Sequence, residues 1–194
     1  MSKAFDGVLQ RDVANSVFSE ITSSVASATF SSDGNSIISR DYLSVKIWDV
    51  RSEARPVETI YVHEHIRGHL AELYDNDCIF DKFHCATSSN ANRIITGSYN
   101  DIVHIYDRNL GVDVCIEVGR SNQSPLRMNT SRDEESALIQ KERPHEADDR
   151  PVNFTKKALH VAMHPKGDVA AVATGSKFYI YQQSPLAVGS KEEE

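Results

Sequence analysis

The chain has 194 residues, 40% of them hydrophobic and 25% charged, which suits one domain with a sizeable core. No run of about 18 apolar residues occurs, so no membrane partner is expected, and residues 1–6 lack the apolar stretch of a secretion signal. A formal net charge of −7 with no concentrated basic stripe argues against nucleic acid as a partner and suits partners rich in Lys and Arg.

Residues 1–17 carry no clear structural signal. Strands are expected near 24–30, 35–40, 43–49 and 57–62, from runs of β-branched and aromatic residues broken by turn formers. Asp33-Gly34 supplies the first hairpin turn, and the third strand closes on Trp48-Asp49. Ile66, Leu70 and Leu73 follow helical spacing and predict a short amphipathic helix over 63–74, against which Gly68 speaks. The strand pattern resumes near 78–84, 92–97, 102–107 and 112–118, and its third strand closes on Tyr106-Asp107. Residues 119–151, rich in Ser, Asn, Arg and Glu and holding Pro125 and Pro144, read as a flexible insertion. A last group of strands falls near 157–163, 168–174 and 177–182. It ends on Tyr181 with Gln182 in the place of the closing Asp, and an acidic tail follows over 185–194.

A four-stranded unit that recurs in this way buries little by itself and needs neighbours stacked around an axis. The expected fold is therefore all-β: a partial WD-repeat β-propeller of about three blades with one short helix. Residues 18–118 hold two blades and 152–184 the last, partial one. Gly97-Ser98-Tyr99-Asn100-Asp101-Ile102-Val103-His104-Ile105-Tyr106-Asp107 matches the repeat pattern in register, with Asn100 in the position of its structural Asp. Trp48, Asp49, Tyr106 and Asp107 are structural residues in this reading. The aromatics fill the space between blades, and the carboxylates hold the turn into the outer strand.

A narrower likeness lies in Ser39-Arg40-Asp41-Tyr42-Leu43-Ser44-Val45-Lys46-Ile47-Trp48-Asp49, Arg55-Pro56-Val57-Glu58-Thr59, Asn76-Asp77-Cys78-Ile79-Phe80-Asp81-Lys82-Phe83 and Leu159-His160-x-Ala162-x-His164-Pro165. These words, in this order, resemble the 55-kDa B-type regulatory subunits of protein phosphatase 2A, over roughly 18–118 and 152–182. That family has a seven-bladed propeller, of which this chain resembles the C-terminal part only. Its insertion before the last blade tends to be basic, whereas residues 119–151 mix both signs. The resemblance implies a non-catalytic protein that binds the scaffold and catalytic subunits of phosphatase 2A and recruits phosphoproteins. It also places Asp41 and Lys46 on the substrate-binding face. A generic WD-repeat scaffold of another complex and a truncated, poorly binding family member are the alternatives.

Asp41 is expected to point outward from its turn, because Tyr42 fills the position of the structural Asp. Asn100 and Asp101 occupy the equivalent turn one blade on, where good turn formers need no ligand to explain them. His65 and His69 stand four residues apart on the expected helix, yet without a His-Glu-x-x-His arrangement or a third ligand, so no metal and no cofactor are expected. His160 and His164 suit structural hydrogen bonds. His84 and Cys85 are adjacent strand residues and point to opposite faces. No Gly-x-Ser-x-Gly elbow and no phosphate loop occur, so the chain is not expected to be an enzyme. Cys78, Cys85 and Cys115, odd in number and without a Cys-x-x-Cys, suit a reducing compartment, the cytoplasm or also the nucleus.

Overall fold

The computed structural model describes residues 17–52, 54–119, 126–129 and 151–182. The repeated pattern folds into three antiparallel sheets. The first runs β1 (Ser27–Phe30), β2 (Ser36–Arg40), β3 (Ser44–Asp49) and β4 (Glu58–Tyr61), each strand paired with the next. The second runs β5 (Cys85–Thr87), β6 (Arg93–Gly97), β7 (Ile102–Asp107), β8 (Val112–Glu117) and β9 (Leu126–Asn129). The third holds β10 (Ala158–Met163), β11 (Val169–Thr174) and β12 (Lys177–Gln182). The sequence repeat is also a repeat of register. Ser36 pairs Asp49, Arg93 pairs Asp107, and Val169 pairs Gln182.

Side chains alternate across a strand, so each sheet offers two faces. Ile38, Val45, Ile47, Ile60 and Val62 of the first sheet form one core with Cys85, Ile94 and Tyr106 of the second. The other face of the second sheet gives Ile95, Val103 and Val118 to a core shared with Ala158, Val161, Ala170 and Val172 of the third. Strand β5 packs on β1 and β2, and β10 packs on β5 and β6. Successive sheets are thus stacked face to face by their early strands, which makes this a partial β-propeller of three blades.

Two backbone hydrogen bonds stitch the second blade to the third: Ala158 N–H donates to the Ser98 carbonyl (3.0 Å), and His84 N–H to the Leu159 carbonyl (2.8 Å). Backbones meet this closely because Gly97 has no side chain. A Cβ there would lie 1.6 Å from the Ala158 carbonyl oxygen.

The helical segments cap one end of the first seam. Ser19–Thr22 forms α1, Glu64–His69 a 3-10 helix, Leu70–Asp75 α2, and Cys78–Phe80 a second 3-10 turn. Ile66, Leu70 and Leu73 are buried as the spacing predicts, in a third core with Tyr42, Leu43, Ile79, Phe83 and Tyr99. The expected strand near 78–84 does not form. Asp77 adopts φ 57°, the chain turns sharply, and Ile79 and Phe83 go beneath α2 before β5 begins at Cys85. Within 119–151, expected as an insertion without regular structure, Leu126–Asn129 adds β9 to the second blade, alongside β8. The expected N-terminal segment 1–17, apart from Val17, and the expected tail 185–194 lie outside the described residues. Among the described residues, no helix is long and apolar enough to cross a membrane.

Candidate functional site

The sequence singles out the β2–β3 turn, and the structure builds it from Asp41 inward. One carboxylate oxygen of Asp41 accepts the backbone N–H groups of Leu43 (2.9 Å) and Ser44 (2.7 Å), and its other oxygen pairs with the Lys46 ammonium. The Ser44 hydroxyl donates to the same carboxylate (2.9 Å). Asp41 is 4% exposed and Lys46 2%. The expectation that Asp41 points outward is therefore corrected. A short acidic side chain two residues before free amides satisfies them first, and the cation from β3 then neutralises it in place.

Tyr42 also turns inward. Its hydroxyl meets that of Tyr99 at 2.8 Å, and Tyr99 donates to Asp81 (2.8 Å), which in turn holds Lys157 (2.7 Å). This chain of groups ties the turn of the first blade to the second blade and to the segment leading into β10. Burial pushes both phenols well above the ordinary tyrosine range.

Beneath the turn lie Arg40 and His63, both wholly buried. His63 Nδ1–H donates to the Tyr42 carbonyl (2.7 Å), and its Nε2 accepts from the Ser98 hydroxyl (2.9 Å), which fixes a neutral tautomer. The ring lies 5.6 Å from that of Tyr99, nearly parallel, and edge-on to Phe83 at 4.9 Å. The Arg40 guanidinium sits 5.6 Å over the Phe83 ring, and its Nε and Nη1 have no hydrogen-bond partner among the described residues. Burial lowers the pKa of Arg40 from its usual value, with Asp41 acting the other way.

Burial, and then the charge of Arg40, hold His63 well below the ordinary histidine pKa. The unfolded chain therefore takes up a proton there that the folded chain refuses. Stability from this group is full above an unfolded value of about 6.5 and is lost as pH falls below it, by about 1 kcal/mol per pH unit. Urea denaturation between about pH 6.5 and 5 is expected to show this slope in the native chain and a shallower one in His63→Gln. Equal slopes would contradict the assignment.

Asn100 and Asp101, at the β6–β7 turn, both take left-handed backbone (φ 58° and 55°). The Asn100 side-chain oxygen accepts the Asn153 N–H (2.7 Å), and the Asp101 carbonyl accepts the Val118 N–H (2.8 Å). Burial raises the Asp101 pKa from its usual value. These residues shape a turn and fasten the strands on either side of it.

Asp49 accepts the Arg51 N–H (2.8 Å), and Asp107 accepts those of Asn109 and Leu110 (3.1 Å each), so both sit at the turn into the outer strand. Tyr106 lies in the seam between the first two blades. Trp48 is 2% exposed, stands on the opposite face of β3 from Val45 and Ile47, and donates its indole N–H to Ser39 (2.8 Å).

The histidine expectations resolve simply. His65 lies edge-on to His63 at 6.1 Å, while His69 turns to Glu72 (3.6 Å). A 3-10 helix has three residues per turn, so residues four apart no longer share a face. His84 and His160 stack edge-on across the second seam, ring centroids 4.4 Å apart, whereas Cys85 points into the first seam. One cluster has no signal in the linear sequence: His104 on β7 with Asp113 and Cys115 on β8. Only the strand register, His104 opposite Cys115 and Tyr106 opposite Asp113, brings these three together. Burial would keep His104 neutral, but Asp113 and Cys115 outweigh it and raise its pKa well above the usual value.

No family model matches the chain. Among curated proteins it is similar to the serine/threonine-protein phosphatase 2A regulatory subunit phr2AB of Dictyostelium discoideum, 40% identical over 168 residues. The match covers 86% of this chain and 35% of that relative, so the chain spans about a third of the relative's length.

Proposed function

The chain belongs to the family of phosphatase 2A regulatory subunits as a counterpart of their C-terminal part, and from this premise we propose that it is a non-catalytic, WD-repeat regulator of that phosphatase. Its partners in this reading are the scaffold and catalytic subunits of the enzyme and phosphorylated substrate proteins. Neither nucleic acid nor a membrane is among them. The chemistry belongs to the catalytic partner. This chain raises the local concentration of selected phosphoproteins beside it.

The observation that carries the proposal is the 40% identity sustained over 168 residues. A generic WD-repeat scaffold would share the blades without sharing the wording of the turns between them. The thiols of Cys78, Cys85 and Cys115, none of them joined in a disulfide, support a reducing compartment, cytoplasmic or nuclear. The net charge of −7 favours substrates with Lys and Arg near the phosphate. Asp41 and Lys46 enter this proposal as the pair that fixes the β2–β3 turn, so that the turn as a unit meets the substrate.

The test is a comparison of initial rates. The scaffold–catalytic core is given one phosphoprotein with basic residues around its phosphate and one with acidic residues, with and without the chain. The chain is expected to shift the rate ratio toward the basic substrate by about tenfold. An unchanged ratio at saturating chain would overturn the reading, and would favour a family member that binds poorly.

A further inference from the structure

We propose that His104, Asp113 and Cys115 form a binding site for a borderline-soft divalent metal, of the zinc or cobalt(II) class, set in the seam between the first and second blades. The three side chains leave a β-hairpin pair on the same face of the sheet, the face that carries Tyr106 into the first seam. His104 Nδ1 lies 2.8 Å from Asp113 Oδ2 and 3.3 Å from Cys115 Sγ, and that sulfur lies 3.7 Å from the same carboxylate oxygen. Nitrogen, oxygen and sulfur thus form a small triangle.

The size of the triangle suits a tetrahedral ion. With bond lengths of about 2.0–2.2 Å to nitrogen and oxygen and about 2.3 Å to sulfur, the edges of such a tetrahedron are about 3.4 Å between N and O and about 3.6 Å to S. Each observed separation is within about 0.6 Å of its edge. The arrangement does not suit a nucleophile relay. There the base turns one ring nitrogen to the thiol and the other to the carboxylate, whereas here the single atom Nδ1 faces both.

A second observation points the same way. Asp113 is 5% exposed, and its Oδ1 has no hydrogen-bond partner among the described residues. A buried carboxylate oxygen left unpaired is costly. A cation coordinated by Asp113 balances that charge more fully than one imidazolium. The donor set selects the metal class, because thiolate and imidazole disfavour magnesium and calcium. Three protein ligands leave one position of a tetrahedral ion for a further ligand. Binding releases two protons, the thiol proton of Cys115 and the Nδ1 proton of the His104 imidazolium, and leaves that ring with its remaining proton on Nε2. The His104 ring is stacked parallel to Tyr106 (7° between planes, centroids 5.8 Å apart), so its orientation is already set. An ion there would staple the third strand of the second blade to the fourth.

Cobalt(II) is the probe, added to the full chain under a reductant that does not bind metals. The native chain is expected to take up one equivalent, with a thiolate-to-cobalt charge-transfer band and intense visible bands of tetrahedral cobalt, all removed by zinc. Cys115→Ser, checked for unchanged circular dichroism, is expected to lose the charge-transfer band and at least tenfold in affinity, and Asp113→Asn to bind more weakly. In the native chain, zinc is expected to slow alkylation of Cys115 but not of Cys78. Absence of the band in the native chain, its survival in Cys115→Ser, or alkylation of Cys115 indifferent to zinc would each overturn the site and leave a plain imidazolium–carboxylate pair.

Discussion

Gly97→Ala is expected to destabilise the chain by about 3 kcal/mol, the upper end of overpacking costs, and to lower the midpoint of thermal unfolding by about 6–12 °C. The position lies at the end of β6, where the second blade meets the third. Its missing side chain would stand 1.6 Å from the Ala158 carbonyl oxygen and 2.7 Å from that carbonyl's carbon. Both are backbone atoms, so no rotamer change relieves the clash. Either the blades part, or the Ala158 N–H to Ser98 bond and the His84 N–H to Leu159 bond break. The cost is steric, since Gly97 is not among the glycines with positive φ. Gly68→Ala is the control. A Cβ there meets nothing within 4 Å, so this variant is expected to be neutral or slightly stabilising. Equal midpoints for the two variants would mean that the blades do not approach as described.

The second large effect lies at the buried pair of the β2–β3 turn. Asp41→Ala removes the acceptor for two backbone amides and strands the Lys46 ammonium at 2% exposure, so a loss of about 3–5 kcal/mol is expected. Asp41→Asn keeps a carbonyl oxygen for the amides but still strands the charge. Adding Lys46→Met to it removes that charge and is expected to recover stability, with a coupling of about 1–3 kcal/mol in a double-mutant cycle read by urea denaturation. Strict additivity would show that the two side chains do not act as a unit. The same variants inform function. If the turn meets substrates as a whole, the double variant retains selectivity in the phosphatase assay while Asp41→Ala loses it.

Much of the architecture was legible in the chain because strand periodicity and turn chemistry agree. Asp33-Gly34 begins a hairpin as its residues require, with Gly34 at φ 69°. Trp48-Asp49 and Tyr106-Asp107 mark corresponding ends of β3 and β7. The expected strand near 78–84 shows where such reasoning fails. Cys78, Ile79, Phe80 and Phe83 have strand-like composition, but Asp77 and Asp81 bracket a 3-10 turn whose apolar side chains are wanted by the helix above. Tertiary packing overrode propensity there. Strand β9 was missed because four residues in a polar stretch carry too little periodicity to register.

The candidate site was legible in position more than in chemistry. Asp41, Asn100 and Asp101 lie on β2–β3 and β6–β7 turns, and Lys46 on the strand that follows the first of these. Their partners could not be read: Asp41 is neutralised by Lys46 across the hairpin, and Asn100 is tied to Asn153, far away in sequence. The burial of Arg40 and His63 could not be read from the linear sequence, where one is a strand end and the other a residue before a helix. His104, Asp113 and Cys115 fit no metal-binding spacing, since hairpin register rather than helical pitch joins them.

These packed blades are proposed as a surface that serves a phosphatase. Equilibrium binding of the purified chain to the scaffold–catalytic heterodimer, followed by sedimentation velocity, tests it most directly. A one-to-one complex, weakened by Gly97→Ala and kept by Gly68→Ala, is the predicted result. A chain with native circular dichroism that sediments separately from the heterodimer at every concentration would contradict it.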